Sequence, residues 1–443
     1  GGNMRDVPLN SYGQASTTPS PVNRMMAAFA RDFRDGVDIN LGVGYVNERT
    51  IPEHDLAEAV QALIDERTKY RQAFNYGGPK GSPNLIASIL AFQERLGIGG
   101  LDHDVLQRQQ VIIGPNGATS LLEGLADLLE PGIVVTSDPM YYIYCNFLER
   151  KGYELLTVPE DDNGLRPDIL REKLDQLGER RKRIRFIYVV TVNNPSCSIL
   201  ANDRRRELVA IANELSAELD RKVLLIFDKA YELLIHDPDT PAPESALACD
   251  TLGLVYELGT FSKVLAPALR VGYMMGPDSP LLTAMVQKTS DVGFSAPLLN
   301  QEVTSYMLDH HIESQMATVN AGYREKAVQV RAWIDQYLGK HLEHCSGGKA
   351  GFYFYLTFRT VETVEGSPLF NYLVRCTGDE AVDGPPDNPH PKVVYIPGQF
   401  CVHPRGDLAT TGRRQLRLSY GFEKPERIHE AIRLMAEAAE AVG

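Results

Sequence analysis

Six short apolar runs constrain this chain more than any other feature, because each ends in polar residues and is separated from the next by a stretch of different periodicity. They are "VIIGP" from Val111, "GIVVTSDP" from Gly132, "IRFIYVVTVNNP" from Ile184, "KVLLIFDKAY" from Lys222, "GLVYELGTFSK" from Gly253 and "LRVGYMMGP" from Leu269. Runs this apolar, rich in Val, Ile and Tyr and without polar alternation, suit strands covered on both faces. The intervening segments "TSLLEGLADLLEPG", "NGLRPDILREKLDQL" and "RRRELVAIANELSAEL" read as helices, and Leu121, Leu122, Leu125, Leu128 and Leu129 recur at helical spacing. Strand–helix alternation of this kind predicts an α/β domain with a mostly parallel sheet.

Beyond Pro297 the pattern changes. A long helical stretch is expected over 297–338, with Val303, Tyr306, Met307, Val328, Val330, Trp333, Ile334 and Leu338 as its apolar positions. Three strand-like runs follow, "GFYFYLTF", "VVYIPGQF" and "QLRLSYGF", and then a terminal helix, "ERIHEAIRLMAEAAEAV". This is an α+β block. The N-terminal segment, through "VDINLGVGY" and "IPEHDLAEAVQALI", has no core of its own and is expected to pack on it. The predicted organisation is a large domain over 50–300 and a small domain built from 1–49 and 301–443.

The totals exclude several classes. With 443 residues the chain is long enough for two or three domains, and its net charge of -13 argues against nucleic acid or an anionic membrane as partner. The six cysteines are scattered, with no CxxC and no metal-ligand spacing, so free thiols in a reducing compartment and no metal are expected. No apolar run approaches the ~20 residues of a membrane span. The segment "GGNMRDVPLNSYG" lacks the apolar centre of a secretory signal, and Gly1–Asn3 before Met4 read as an addition. A cytoplasmic location is the expectation.

In an open α/β sheet, ligands collect beyond the carboxyl ends of the strands. Here those ends supply "PNGAT", "DPMYY", "NNPS", Asp228 with Tyr231, and Thr260 with Ser262 and Lys263. Backbone donors at a helix start, aromatics, an amide, a carboxylate beside a phenol, and an amine beside hydroxyls match the needs of pyridoxal phosphate. That cofactor uses a lysine as its attachment point, an acid facing its ring nitrogen, an aromatic face and a phosphate cradle.

The motifs "NYGGPKG", "GPNGATSLLEGLADLLEPG", "DPMYY", "NNPS", "DKAY", "SKVLAPALRVGY" and "RLSYGF" stand in the order found in fold-type I pyridoxal-phosphate enzymes of the class I/II aminotransferase family, which the chain resembles over nearly its whole length. The resemblance implies a large domain with a mostly parallel seven-stranded sheet plus a smaller α+β domain. It implies that Lys263 is the Schiff-base lysine, that Asp228 pairs with the pyridine nitrogen, and that Tyr231 and Asn194 donate to the ring oxygen. Tyr141 matches the stacking aromatic, with Tyr142 as a neighbouring candidate. Gly117, Ala118 and Thr119, with Thr260, Ser262 and Arg270, match the phosphate cradle. Tyr76 resembles the tyrosine that reaches the partner subunit's phosphate, which implies a homodimer with shared active sites. Arg417 matches the clamp for a substrate α-carboxylate, with Asn194 beside it, and Gly42 and Gly44 fit a segment that closes over substrate.

Four positions depart from the family pattern: Ser196, Cys197, Ala268 and Asp138. "NPSCS" stands where Asn-Pro-Thr-Gly is usual, so Cys197 either fills the glycine's space or marks an altered turn. Ala268 stands where the lysine motif has a glycine, and Asp138 stands where a glutamate is frequent. The implied activity is a pyridoxal-phosphate-dependent aminotransferase that takes an amino acid and a 2-keto acid in ping-pong fashion. Two alternatives remain at this point: an elimination or cyclisation on the same cofactor, and a ligand-sensing module on the same fold.

Overall fold

The computed structural model describes residues 2–44 and 46–443. Its largest sheet contains β1 (Gln110–Ile113), β2 (Ile133–Asp138), β3 (Glu154–Asp161), β4 (Ile184–Val190), β5 (Leu224–Asp228), β6 (Val255–Thr260) and β7 (Gly272–Gly276). The spatial order is β1-β7-β6-β5-β4-β2-β3, and the dipeptide Gly164–Leu165 adds an eighth, marginal strand outside β3. From β3 through β6 every neighbour is parallel. Among the seven, β7 reverses, running antiparallel to both β6 and β1, and the marginal Gly164–Leu165 is antiparallel to β3. The segment joining β6 to β7 is too short for a crossover helix, which a parallel pairing would need. The mostly parallel seven-stranded sheet is therefore as expected.

The apolar runs lack alternation because the sheet is covered on both sides, yet the period of two persists inside it. Ile112, Val134, Phe186, Tyr188, Ile226, Tyr256 and Met274 face one apolar cluster. Val111, Ile113, Val135, Ile187, Leu225, Phe227 and Met275 face the other. Leu121, Leu122 and Leu125 of the helix Gly117–Leu128 join the first cluster. Leu128 departs from its expected role: it is 37% exposed, because the helix stops there and Leu129 is already extended.

A second sheet is antiparallel, with β8 (Leu342–Gly347), β9 (Tyr353–Phe358) and β10 (Gln415–Ser419) side by side and the pair Ile396–Pro397 at its edge. The run "VVYIPGQF" is not one strand. Val393–Val394 pairs with Ile39–Asn40, whereas Ile396–Pro397 pairs with β10. Pro397 has no N–H to continue a ladder, and a three-residue turn, Gly398–Phe400, follows it. The long helix expected over 297–338 is two: Leu298–His310 and Ile312–Trp333, broken at His311, with a π-helical turn over Ile334–Leu338. The Ile39–Asn40 pairing brings the N-terminal segment onto the C-terminal block. Among the described residues no helix is long and apolar enough to cross a membrane.

Candidate active site

The ends of β2, β4, β5 and β6 open together with β10 onto a cavity of about 380 Å³. Asp228, the last residue of β5, is buried there. Tyr188, two residues before the end of β4, donates to its Oδ2 at 2.6 Å, and the Ala230 N–H donates to Oδ1 at 3.1 Å. Burial pushes the carboxyl above its ordinary range; these bonds and the charge of Lys263 pull in the other direction without overcoming it. A cation placed beside this carboxylate would restore its charged form.

Lys263 follows β6 and points its Nζ into the cavity, donating to the Gly44 carbonyl at 3.0 Å and lying 5.5 Å from the centre of the Tyr231 ring. Burial pushes its ammonium down to about 8, helped by the positive charges of Arg417 and Arg270 and opposed by Asp228. A surface lysine would stay more than two units higher. This amine is therefore a nucleophile near neutral pH.

One end of the cavity is built for an anion. The helix Gly117–Leu128 starts there: the Gly117 N–H donates to the Arg270 carbonyl at 2.9 Å, and Ala118 and Thr119 of its first turn, whose amides have no acceptor within their own helix, line the cavity. Gly272 makes the approach possible, since a Cβ at that position would sit 2.2 Å from the Ala118 nitrogen. Arg270 takes a left-handed backbone (φ 53°) after the short turn Pro267–Leu269, which holds Ala268. Its Nε donates to Asn116 Oδ1 at 3.0 Å, so the guanidinium is steered without being neutralised. Thr260 Oγ1 donates to Ser262 Oγ at 3.1 Å beside it.

The other end holds Arg417, from β10, which is 2% exposed. Its Nη1 donates to Asn194 Oδ1 and its Nη2 to the Gly42 carbonyl, both at 2.9 Å, and the Tyr353 ring lies 4.2 Å away. Its Nε has no partner, and among the described residues no carboxylate pairs with it. A buried guanidinium with only neutral partners is a site waiting for a carboxylate.

The structure thus brings Lys263, Asp228, Tyr231, Ala118, Thr119, Tyr141, Asn194, Thr260, Ser262, Arg270, Gly42, Gly44 and Arg417 to one cavity. Gly117 sits just behind, where a Cβ would come 3.0 Å from Arg270 Nη2. Tyr76 is elsewhere: it is 69% exposed and packs edge-on against Phe294 with ring centres 5.0 Å apart. Cys197 has φ 54° and is buried, so it keeps a glycine-like backbone. Its cost is conformational, roughly 1 kcal/mol for a left-handed non-glycine residue, rather than one of volume. Asp138 ends β2 beneath the cavity with its carboxyl pushed up to about 6 by burial, and it accepts from the His403 N–H at 3.2 Å. Sequence reasoning missed Tyr188 and Tyr353, which sit inside apolar strand runs, and Val22, Asn23, Met26, Ile143 and Ile396, which also line the cavity.

This donor set fits pyridoxal phosphate: an amine for its aldehyde, a carboxylate for its ring nitrogen and an anion cradle for its phosphate. The fold is that of a fold-type I pyridoxal-phosphate enzyme. Residues 37–373 match the family model described as aminotransferase class I and II. The chain belongs to that family, and it is a pyridoxal-phosphate-dependent aminotransferase. It is 23% identical over 405 residues to aromatic-amino-acid aminotransferase 1 of Thermococcus litoralis, covering 90% of this chain and 87% of that one. It is 27% identical over 391 residues to 2-aminoadipate transaminase of Thermus thermophilus, covering 87% and 86%. In fold it is similar to the multiple substrate aminotransferase of Thermococcus profundus, with a TM-score of 0.82, 20% identity and coverage of 98% and 97%.

Proposed function

We propose the following roles in moving an amino group from an amino acid to a 2-keto acid. The observation that carries the reading is the convergence of Lys263, Asp228, Arg270 and Arg417 on one cavity, from two sheets and a loop. When bound, pyridoxal phosphate supplies an aldehyde that condenses with amines and a ring that withdraws electrons from the substrate's α-carbon.

Lys263 would hold the cofactor through Nζ. Asp228 would keep a proton on the ring nitrogen, with Tyr188 fixing the carboxylate's orientation. Asn194 and Tyr231 would serve the ring oxygen, and Tyr141 would offer its face. The amides of Ala118 and Thr119, with Thr260, Ser262 and Arg270, would hold the phosphate, and Gly117, whose N–H donates to the Arg270 carbonyl, would set the helix start beside it. Arg417 would clamp the α-carboxylate, with Asn194 and the Gly42–Gly44 backbone setting its position. Because Nζ titrates near pH 8, the same amine can accept a proton from the α-carbon and return it.

We take Tyr76, exposed on its own subunit, to complete the site of a second copy in a homodimer. A cytoplasmic location accords with six free thiols. A division into 50–300 and a small domain from 1–49 and 301–443 accords with the two sheets and with the Ile39–Asn40 pairing. The test is steady-state kinetics with both substrates varied. Parallel double-reciprocal lines are expected. Intersecting lines, or steady turnover of an amino acid with no keto acid present, would support the elimination or cyclisation alternative instead.

A further inference from the structure

Asn194, Asp228 and Tyr231 reach the cavity from just beyond β4 and β5, and the main chain that carries them is tied to buried charges. Along "DKAYE", residues 228–232, the side chains divide. Asp228 and Tyr231 line the active-site cavity, whereas Lys229 and Glu232 line a separate one. Each of the latter has a buried partner of opposite charge: Glu232 pairs with Arg205 at 3.2 Å, and Lys229 with Glu257 at 3.3 Å. None of the four is more than 9% exposed. Buried pairs add little net stability, because desolvation offsets their attraction; what they can supply is a fixed arrangement.

The Arg205–Glu232 pair connects directly to the residues of the site. Arg205 Nη1 donates to both Glu232 oxygens at 3.2 Å. Thr191, the first residue after β4, donates its hydroxyl to Glu232 Oε2 at 2.6 Å; a hydroxyl has one proton, and this short bond takes it. The Thr191 N–H donates to the Asp228 carbonyl at 3.0 Å, and the Thr191 carbonyl accepts from the Leu200 N–H at 2.8 Å. The Leu200 carbonyl in turn accepts from Arg205 Nε at 3.1 Å, and Val192 bridges to Ile199 across the loop that holds Asn194. Thr191 therefore joins the Asn194 loop to Asp228, and Glu232, which opens the turn Glu232–Leu234 directly after Tyr231, joins both to that turn. Burial alone would raise the Glu232 carboxyl, but the charges of Arg205 and Lys229 and the Thr191 bond hold it below its ordinary range, so it accepts these bonds as a carboxylate.

We infer that Thr191, Glu232 and Arg205 are positioning residues: they set the Asp228 carboxylate and the Asn194 and Tyr231 side chains against the cofactor ring without touching it. The inference rests on the reading of Asp228 as the partner of the ring nitrogen, and its test must separate the two. Three properties are measured: the melting temperature of the ligand-free full chain, pyridoxal phosphate affinity by retention on dialysis well below that temperature, and the pH midpoint of the bound cofactor's visible absorption. Thr191→Val removes the link to Glu232 and leaves the ion pair. Its affinity should fall about 3- to 10-fold, and the midpoint should move by about half a unit or more. Thr191→Ser keeps the hydroxyl and should match wild type in both. Arg205→Met combined with Glu232→Leu removes the charges without leaving one unpaired, so it should stay folded and lose affinity as Thr191→Val does. Wild-type affinity and midpoint in Thr191→Val or in the double variant, with only the melting temperature lowered, would overturn the positioning role while Asp228 keeps its own. Wild-type affinity and midpoint in Asp228→Asn would overturn the reading of Asp228 and the inference with it.

Discussion

Arg270 reaches the cavity from a loop; Arg417 reaches it from the middle of a strand. Arg270 sits on a left-handed residue, partly exposed, with its Nε on a neighbouring asparagine. Arg417 is sealed between two sheets, stacked on Tyr353, and held by Asn194 and the Gly42 carbonyl. In the proposed roles the loop arginine would share its task with helix amides and hydroxyls, so its anion site would be distributed. The strand arginine would carry its task nearly alone. The same residue type would therefore give a tolerant site at one end and a brittle one at the other.

The largest expected effect follows from that contrast. Arg417→Leu should lower kcat/KM for amino acids by about 100-fold or more, since a charge-assisted pair to a carboxylate contributes roughly 3 kcal/mol. Arg417→Lys should rescue it poorly, because an ammonium cannot make the paired contacts of a guanidinium. Arg270→Lys, by contrast, should be the milder change of the two. If both Lys substitutions cost the same, the difference between the two ends is wrong.

Gly272→Ala probes the distributed end through its backbone rather than its charge. The new Cβ would collide with the Ala118 nitrogen, 2.2 Å away, and push the helix start out of place. Cofactor affinity, measured by retention on dialysis, should fall by about 10-fold or more, because overpacking costs about 1–3 kcal/mol. An unchanged affinity would mean that the helix amides do not hold the phosphate.

Tyr188→Phe should have a smaller effect. The Tyr188 bond favours the ionised form of Asp228. Its loss removes roughly 1–2 kcal/mol of support for the carboxylate. The Asp228 carboxyl should then rise further, and the acid limb of kcat should move to higher pH. A limb that moves down, or stays, would contradict the assignment of Asp228.

The smallest effect is a pH dependence. Below its pKa of about 8, Lys263 is protonated in the ligand-free chain and cannot attack an aldehyde. The rate of pyridoxal phosphate capture should rise with pH up to about 8 and then level. A rise that continues to the ordinary lysine range, near 10.4, would show that burial and the two arginines do not depress this amine.

The residues that the strand ends bring to the cavity were legible in the sequence, and the wall holding Met26 and Ile396 was not, for a physical reason. Asp228 and Thr260 end strands buried on both faces, Tyr231, Ser262 and Lys263 follow within three residues, and parallel sheets place such residues together. Tyr188 shares the Asp228 face by the period of two, yet inside "FIYVV" it cannot be told from a core tyrosine. Met26 and Ile396 are far apart in sequence and meet only because Ile39–Asn40 pairs with Val393–Val394. That short pairing is a tertiary choice that no local pattern announces. The break at His311 and the splitting of "VVYIPGQF" were missed for a related reason, since apolar spacing continues through both.

The central claim is that Lys263 is the cofactor's attachment point, facing Asp228 across one cavity. Borohydride reduction of the holoenzyme followed by peptide mass mapping tests it most directly. The account predicts the cofactor's mass on the peptide containing Lys263 alone, and a Lys263→Ala protein that keeps its fold but retains no cofactor mass. Cofactor mass on another lysine, or undiminished labelling of Lys263→Ala, would contradict it.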